Sequence, residues 1–277
     1  MTSIQETKQG LHSYEEFTQR PFYIEINKET IRLAPKPVKY AIDVATGTGA
    51  MITQMFDEKK LTIDFQIRGY DIDEKALRAA KSKFYHYRDR ILFMNAPAEN
   101  LYPQDKWAQL VTFCNAIHLT DAPKALKEIT RVMDDDATLL INTAYEKDRA
   151  YPDGSEVSWG SMVALARISA KKNHGIDNIP KPAYLLNYSA DDYVNMLVAA
   201  GLSDIEIYYH TAKLRREDLE AICRYDEFAR GTLPGVDLDL AKELLAGAVE
   251  PTLERRKSDF LPRGWTIIKA RKLPKAT

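Results

Sequence analysis

Apolar runs bounded by turn residues alternate with segments of helical period along most of this chain. "YAIDVA", "FQIRGYD", "ILFMN", "QLVTFCNA", "ATLLINTA", "DIEIYYH" and "GWTIIKARK" predict strands. Between them the apolar positions take helical spacing: from about Gly49, through Leu77, Ala80 and Phe84, and through Leu126, Ile129 and Met133 with Asp121 placed to cap. A further helix opens on Ser189-Ala190-Asp191-Asp192, carries Tyr193, Met196, Leu197 and Ala200 on one face, and ends at Gly201. This alternation is the signature of βα units and a largely parallel sheet.

Three stretches depart from the rhythm. "YIEINKETIRLA" predicts a short helix stopped by Pro35 and Pro37. Residues Tyr145 to Asn187, with Pro152, Gly154, Gly175, Pro180 and Pro182 around a helical centre near Met162 to Ser169, read as an insertion. Lys213 to Pro262 carry two helical patterns, the clearer one holding Leu238, Ala241, Leu245 and Ala248.

Composition changes this picture little: 45% hydrophobic and 29% charged residues in 277 describe an ordinary globular chain. Charge excludes more. The 39 basic and 40 acidic residues leave a net charge of -1, so the molecule has no overall field to draw it to nucleic acid or an anionic membrane. The basic group Arg255, Arg256, Lys257, Arg263, Lys269, Arg271 and Lys272 has Glu250, Glu254 and Asp259 among it, as a solvated surface does. Cys114 and Cys223 match no metal or redox spacing. With no secretory layout in "MTSIQETKQG" and no apolar run of membrane-spanning length, the expected location is the cytoplasm.

The candidate chemistry lies in "DVATGTGAMI". A strand that ends in Gly-x-Gly and turns into a helix brings bare backbone, helix N–H groups and a positive dipole end to one spot, where a ligand can approach closely. Gly47 and Gly49 equally suit a plain tight turn. What favours a ligand is the second strand, "IRGYDID", whose Asp71 is placed to accept hydrogen bonds from a ribose while Asp73 caps the next helix. Ile52 stands where a dinucleotide fingerprint wants its third glycine, and Asp43 repels a pyrophosphate but suits a ligand carrying an ammonium and a sulfonium.

Asp43-Val44-Ala45-Thr46-Gly47-Thr48-Gly49 resembles the D-x-G-x-G-x-G motif of class I S-adenosylmethionine-dependent methyltransferases of the small-molecule type, and Asp71 resembles their ribose acid. "NAPAENLYP" is similar to their adenine segment, and "FCNAIHLTDAPKALKEITRVM" to their fourth strand and following helix. The chain departs from the family at Ala45, at Pro97 in place of an aspartate, at "DDDA" before the fifth strand and at Gln109.

The resemblance implies an α/β fold, a doubly wound, mostly parallel seven-stranded Rossmann-like sheet with a helical lid. Its core would comprise residues 38–144, 189–210 and 264–272, with residues 1–37 contributing to the lid and residues 145–188 and 211–263 forming lid insertions. The implied cofactor is S-adenosyl-L-methionine, with S-adenosyl-L-homocysteine as product. Its contacts fall on Tyr23, Asp43, Ala45, Thr46, Gly47, Gly49, Asp71, Ile72, Ala98, Glu99 and Asn115.

Methyl transfer by in-line displacement needs alignment and exclusion of water above all, and no metal. His118, just past the fourth strand, is the candidate base; packing of the strand-helix turn is its alternative role. Trp159, Tyr184 and Tyr188, on inserted segments, are candidates to enclose a small-molecule methyl acceptor, with ordinary burial as the alternative. The expected function is methylation of an O, N or C atom of a small metabolite, without nucleic-acid or membrane partners. The rivals are an RNA or protein methyltransferase, a non-catalytic cofactor-binding module, and a nicotinamide-dependent oxidoreductase weakened by Ile52.

Overall fold

The computed structural model describes residues 15–146, 159–181 and 188–274. Its elements run α1 (Glu15–Thr18), α2 (Pro21–Arg32), β1 (Val38–Val44), α3 (Ala50–Asp57), β2 (Leu61–Asp71), α4 (Glu74–Lys83), β3 (Ile91–Asn95), β4 (Ala108–Cys114), α5 (Ala122–Val132) and β5 (Met133–Thr143). They continue with α6 (Trp159–His174), α7 (Ala190–Ala199), β6 (Ser203–Arg215), α8 (Arg216–Cys223), α9 (Asp226–Thr232), α10 (Leu238–Gly247), α11 (Val249–Arg256) and β7 (Phe260–Arg271). The chain divides into two compact units, with boundaries inside α2, β6 and β7.

The sheet unit holds described residues 24–146, 188–210 and 265–274. Its seven strands lie in the order β3-β2-β1-β4-β5-β7-β6, parallel from β3 to β5, with β7 antiparallel to β5. Strand order reverses where β1 lies between β2 and β4, which opens a crevice beyond the carboxyl ends of those strands. Both faces are covered. Ile31 of α2, Met51, Ile52 and Met55 of α3, and Leu77 and Ala80 of α4 pack on one face, while Leu126 and Ile129 of α5 and Tyr193 and Leu197 of α7 pack on the other. That double burial is why the central strands read as near-continuous apolar runs.

Helix ends follow local chemistry. Asp73 accepts from the backbone N–H groups of Lys75 and Ala76 to cap α4, Asp121 accepts from that of Lys124 to cap α5, and Ser189 and Asp192 form a reciprocal capping box on α7. Met133, assigned by helical spacing to α5, is instead the first residue of β5, and residues 134–136 continue that strand. Lys272 Nζ donates to the carbonyls of Thr130 and Met133, satisfying backbone groups at this abrupt helix-to-strand junction.

The helical unit holds described residues 15–23, 159–181 and 211–264. Where periodicity indicates two helices between residues 213 and 262, four are present, α8 to α11, each too short for its apolar period to stand out. α6 is longer than its predicted centre and buries Met162, Val163, Ala166 and Ala170. Polar ties accompany the apolar packing: Arg20 pairs with Asp218 at 2.6 Å, Arg224 with Glu16 at 2.6 Å, and Arg167 donates to the carbonyls of Thr232, Ile179 and Pro180.

Candidate active site

The turn after β1 alternates left-handed residues, with φ of 53° at Ala45, 54° at Gly47 and 80° at Gly49. Ala45, which stands where the resembling motif has a glycine, therefore takes up the very conformation that glycine favours. Gly49 caps α3, and a Cβ added there would meet Phe84 Cε2 at 2.5 Å. At Gly47 a Cβ would meet nothing within 4 Å, so the backbone faces open space. The N–H groups of Thr46, Gly47 and Gly49 are donated within the protein, to the Tyr70 carbonyl, Asp71 Oδ2 and the Thr46 carbonyl. These three donors are not offered to an anion, so the turn does not use them as a phosphate cradle.

Two carboxylates flank the turn instead. Asp43 is buried; its Oδ2 accepts from Thr46 Oγ1 and its Oδ1 from Thr112 Oγ1, both at 2.7 Å. Burial pushes its pKa up to about 6, the two hydroxyls oppose that shift, and the neighbouring Asp71 adds to it. Asp71, at the tip of β2, accepts from Gly47 N–H at 2.7 Å and Asp73 N–H at 2.8 Å, and burial raises its pKa as well. Each of its oxygens keeps a second lone pair. Ile72 is exposed just beyond the tip, Ala98 is buried, and Glu99 accepts from Asp121 N–H.

The β4 and β5 tips are built differently. Asn115 follows β4 with φ of 53°; its N–H donates to the Asn142 carbonyl at 2.7 Å and its Oδ1 accepts from Trp265 Nε1 at 3.1 Å. Thr30 Oγ1 gives its single hydrogen to the Ile26 carbonyl, so it meets Asn142 Nδ2, at 2.9 Å, only as an acceptor. That fixes the Asn142 amide, whose Nδ2 also donates to Asn27 Oδ1. Asn142 Oδ1 and Thr48 Oγ1 are left buried with no partner among the described residues. Burial raises the Cys114 thiol well above its ordinary range, and the Asp43 charge adds to the effect.

His118 sits in a short 3-10 turn, Ile117–Leu119, its ring centroid 3.9 Å from that of Tyr145. Tyr188 meets Tyr193 edge-on and bridges Glu146 through the backbone. In the helical unit, Trp159 packs on Phe228 with Arg263 over its ring, and Tyr23 packs with Phe17 and Phe22. Tyr184 lies outside the described residues. Thus Asp43, Ala45, Thr46, Gly47, Gly49 and Asp71 come together at one sheet edge with Asn115. Asn27, Thr30, Asn142 and Trp265 escaped the sequence reading; the one available signal was an asparagine inside the apolar run "ATLLINTA". Among the described residues no cluster of His, Cys, Asp or Glu is arranged to hold a metal, and no helix is long and apolar enough to cross a membrane.

Residues 41–136 match the family model described as a methyltransferase domain. The match covers less than half of the chain, and the seven-stranded sheet around it shares the fold of the solved structures that follow. Among solved structures, the chain is similar to the YcgJ protein of Bacillus subtilis at 17% identity and a TM-score of 0.58, covering 90% of this chain and 99% of that one. It is similar to phosphoethanolamine N-methyltransferase 2 of Haemonchus contortus, in complex with phosphomonomethylethanolamine and S-adenosylhomocysteine, at 17% identity and 0.59, over 98% of this chain and 58% of that one. It is also similar to the [4+2]-cyclase SpnF, at 19% identity and 0.53, over 90% and 79%. No curated protein matches the sequence.

Proposed function

We propose that this protein is an S-adenosylmethionine-dependent methyltransferase acting on a small molecule, with S-adenosylhomocysteine as its product. The observation that carries the reading is the acid pair flanking a bare turn. Asp43 is buried and raised to about 6, a state that a nearby cation relieves. Asp71 keeps lone pairs for ribose hydroxyls, and the open space over Gly47 leaves room for an amino acid tail. Asn115, Ile72, Ala98 and Glu99 complete the cofactor contacts.

When bound, the cofactor supplies a methyl group activated on a sulfonium for in-line displacement at an O, N or C atom. The chain's own residues do the rest: Asp43 balances the positive end, Asp71 orients the ribose, and His118 accepts a proton from the acceptor. Tyr188, which packs on Tyr193 within the sheet unit, borders that acceptor. A small-molecule acceptor is favoured by the pairing of basic residues: Arg215 with Asp259, Arg216 with Glu250, Lys269 with Glu206, and Arg271 with Asp136 and Asp204. Such pairing opposes part of the basic charge that RNA would need.

Calorimetric titration with S-adenosylhomocysteine and with NAD separates the cofactors: binding of the first alone is expected, and binding of NAD alone overturns the reading. Labelled S-adenosylmethionine incubated with fractionated cell extract then reports the acceptor. Label in low-mass material is the expected outcome; label only in RNA or protein removes the small-molecule assignment, and no transfer at all leaves a binding module.

A further inference from the structure

We infer that Trp265 is a positioning residue of the cofactor site, holding Asn115 in the left-handed backbone conformation that aims the β4 tip at the cofactor. The inference rests on the proposed function and adds a residue that neither the glycine motif nor the strand pattern indicates. Asn115 has φ of 53°, a region unfavourable for most side chains and less so for asparagine, whose short polar side chain can be held there by hydrogen bonds.

Two hydrogen bonds supply that support. The Asn115 N–H donates to the Asn142 carbonyl at 2.7 Å, and Trp265 Nε1 donates to Asn115 Oδ1 at 3.1 Å. Trp265 is 2% exposed, so its indole N–H is out of water's reach and needs a protein acceptor. It lies one residue before the run Thr266 to Arg271 that pairs with β5, and β5 separates β7 from β4 in the sheet. The indole therefore reaches over the β5 tip to the β4 tip, fastening the side chain while β5 fastens the backbone. Asn142 is itself fixed by Thr30 and Asn27 of α2, so the fastening does not end in a mobile group.

A tryptophan that merely fills space would give the same burial, and a double-mutant cycle on S-adenosylhomocysteine affinity separates the two roles. Trp265→Phe keeps an aromatic ring and removes the N–H; it is expected to weaken binding about tenfold, the effect of one lost buried hydrogen bond. In the Asn115→Gly background, where the side-chain tie is gone and glycine takes positive φ freely, the same substitution is expected to change affinity less than about twofold. An equal loss in both backgrounds, or no loss in either, overturns the inference.

Asn115→Ala provides the check if Trp265→Phe does not fold. It removes the tie and the conformational tolerance together, so affinity is expected in the order wild type, Asn115→Gly, Asn115→Ala. An Ala variant that folds and binds as wild type overturns the inference. Wild-type protein that fails to bind S-adenosylhomocysteine removes the proposed function itself, and the inference with it, before any variant is compared.

Discussion

The two halves of the sheet's carboxyl edge are assembled in different ways. At the β1–β2 tips the parts are close in sequence or on adjacent strands: Thr46 meets Asp43 within one turn, and Gly47 N–H meets Asp71 on the neighbouring strand. At the β4–β5 tips the partners come from far away, Asn115 from Trp265 and Asn142 from Asn27 and Thr30. A region built from local bonds can be written as a short motif, whereas one built across the fold leaves only scattered residues. The first half would fix which cofactor is held, and the second half would fix how it is presented and to what.

Substitutions on each side sharpen that division. The largest expected effect is His118→Ala, on the β4 side: kcat falls about 100-fold, the lower end for losing a general base, while S-adenosylhomocysteine affinity stays unchanged. Steady-state kinetics with calorimetry checks this, and unchanged turnover at normal affinity returns His118 to a packing role against Tyr145.

Asp43→Asn, on the β1 side, is expected to give the reverse pattern: affinity for S-adenosylhomocysteine drops about 10- to 100-fold, the range for losing a charged partner. The same change should stabilise the unliganded protein at neutral pH. Holding a buried carboxylate whose pKa stands at about 6, against an ordinary 3.8, costs roughly 3 kcal/mol when it is ionised, a net figure that already includes the Thr112 and Thr46 hydrogen bonds. Urea unfolding at pH 7.5 measures the difference; a variant that is less stable and still binds would place Asp43 in the framework alone.

Gly49→Ala tests whether the turn's geometry is as tight as its φ of 80° and the 2.5 Å approach of Phe84 imply. A loss of about 2 kcal/mol in unfolding free energy is expected, from left-handed strain and displacement of that ring. No measurable loss would mean that the turn relaxes and that its shape is not imposed on the ligand.

Much of the sheet was legible because its strands are buried on both faces and its helices carry side-chain caps, as Asp73, Asp121 and Ser189 show. Legibility failed where two structures satisfy one pattern. Met133 is buried whether it ends α5 or begins β5, so apolar spacing could not choose between them. Helices α8 to α11 span two or three turns each, too few for a period to stand out, and their stability comes from packing. In the site, Asp43, Gly47 and Asp71 announced themselves by spacing, whereas Trp265 read as one more aromatic of the last strand.

The central claim, that a buried carboxylate beside a bare turn receives the positive end of the cofactor, is tested most directly by S-adenosylhomocysteine affinity between pH 5 and pH 8. Folding raises the Asp43 pKa above its unfolded value, so in the unliganded protein this group lowers stability as pH rises from about 4 to about 6 and adds no further change above that. Ligand binding has the opposite sign: the ammonium group that S-adenosylhomocysteine retains prefers the ionised form, so affinity should be constant above about pH 7 and about tenfold weaker at pH 5, and Asp43→Asn should lack this dependence. A wild-type affinity that stays flat from pH 8 to pH 5, or a dependence that survives in Asp43→Asn, would contradict the account.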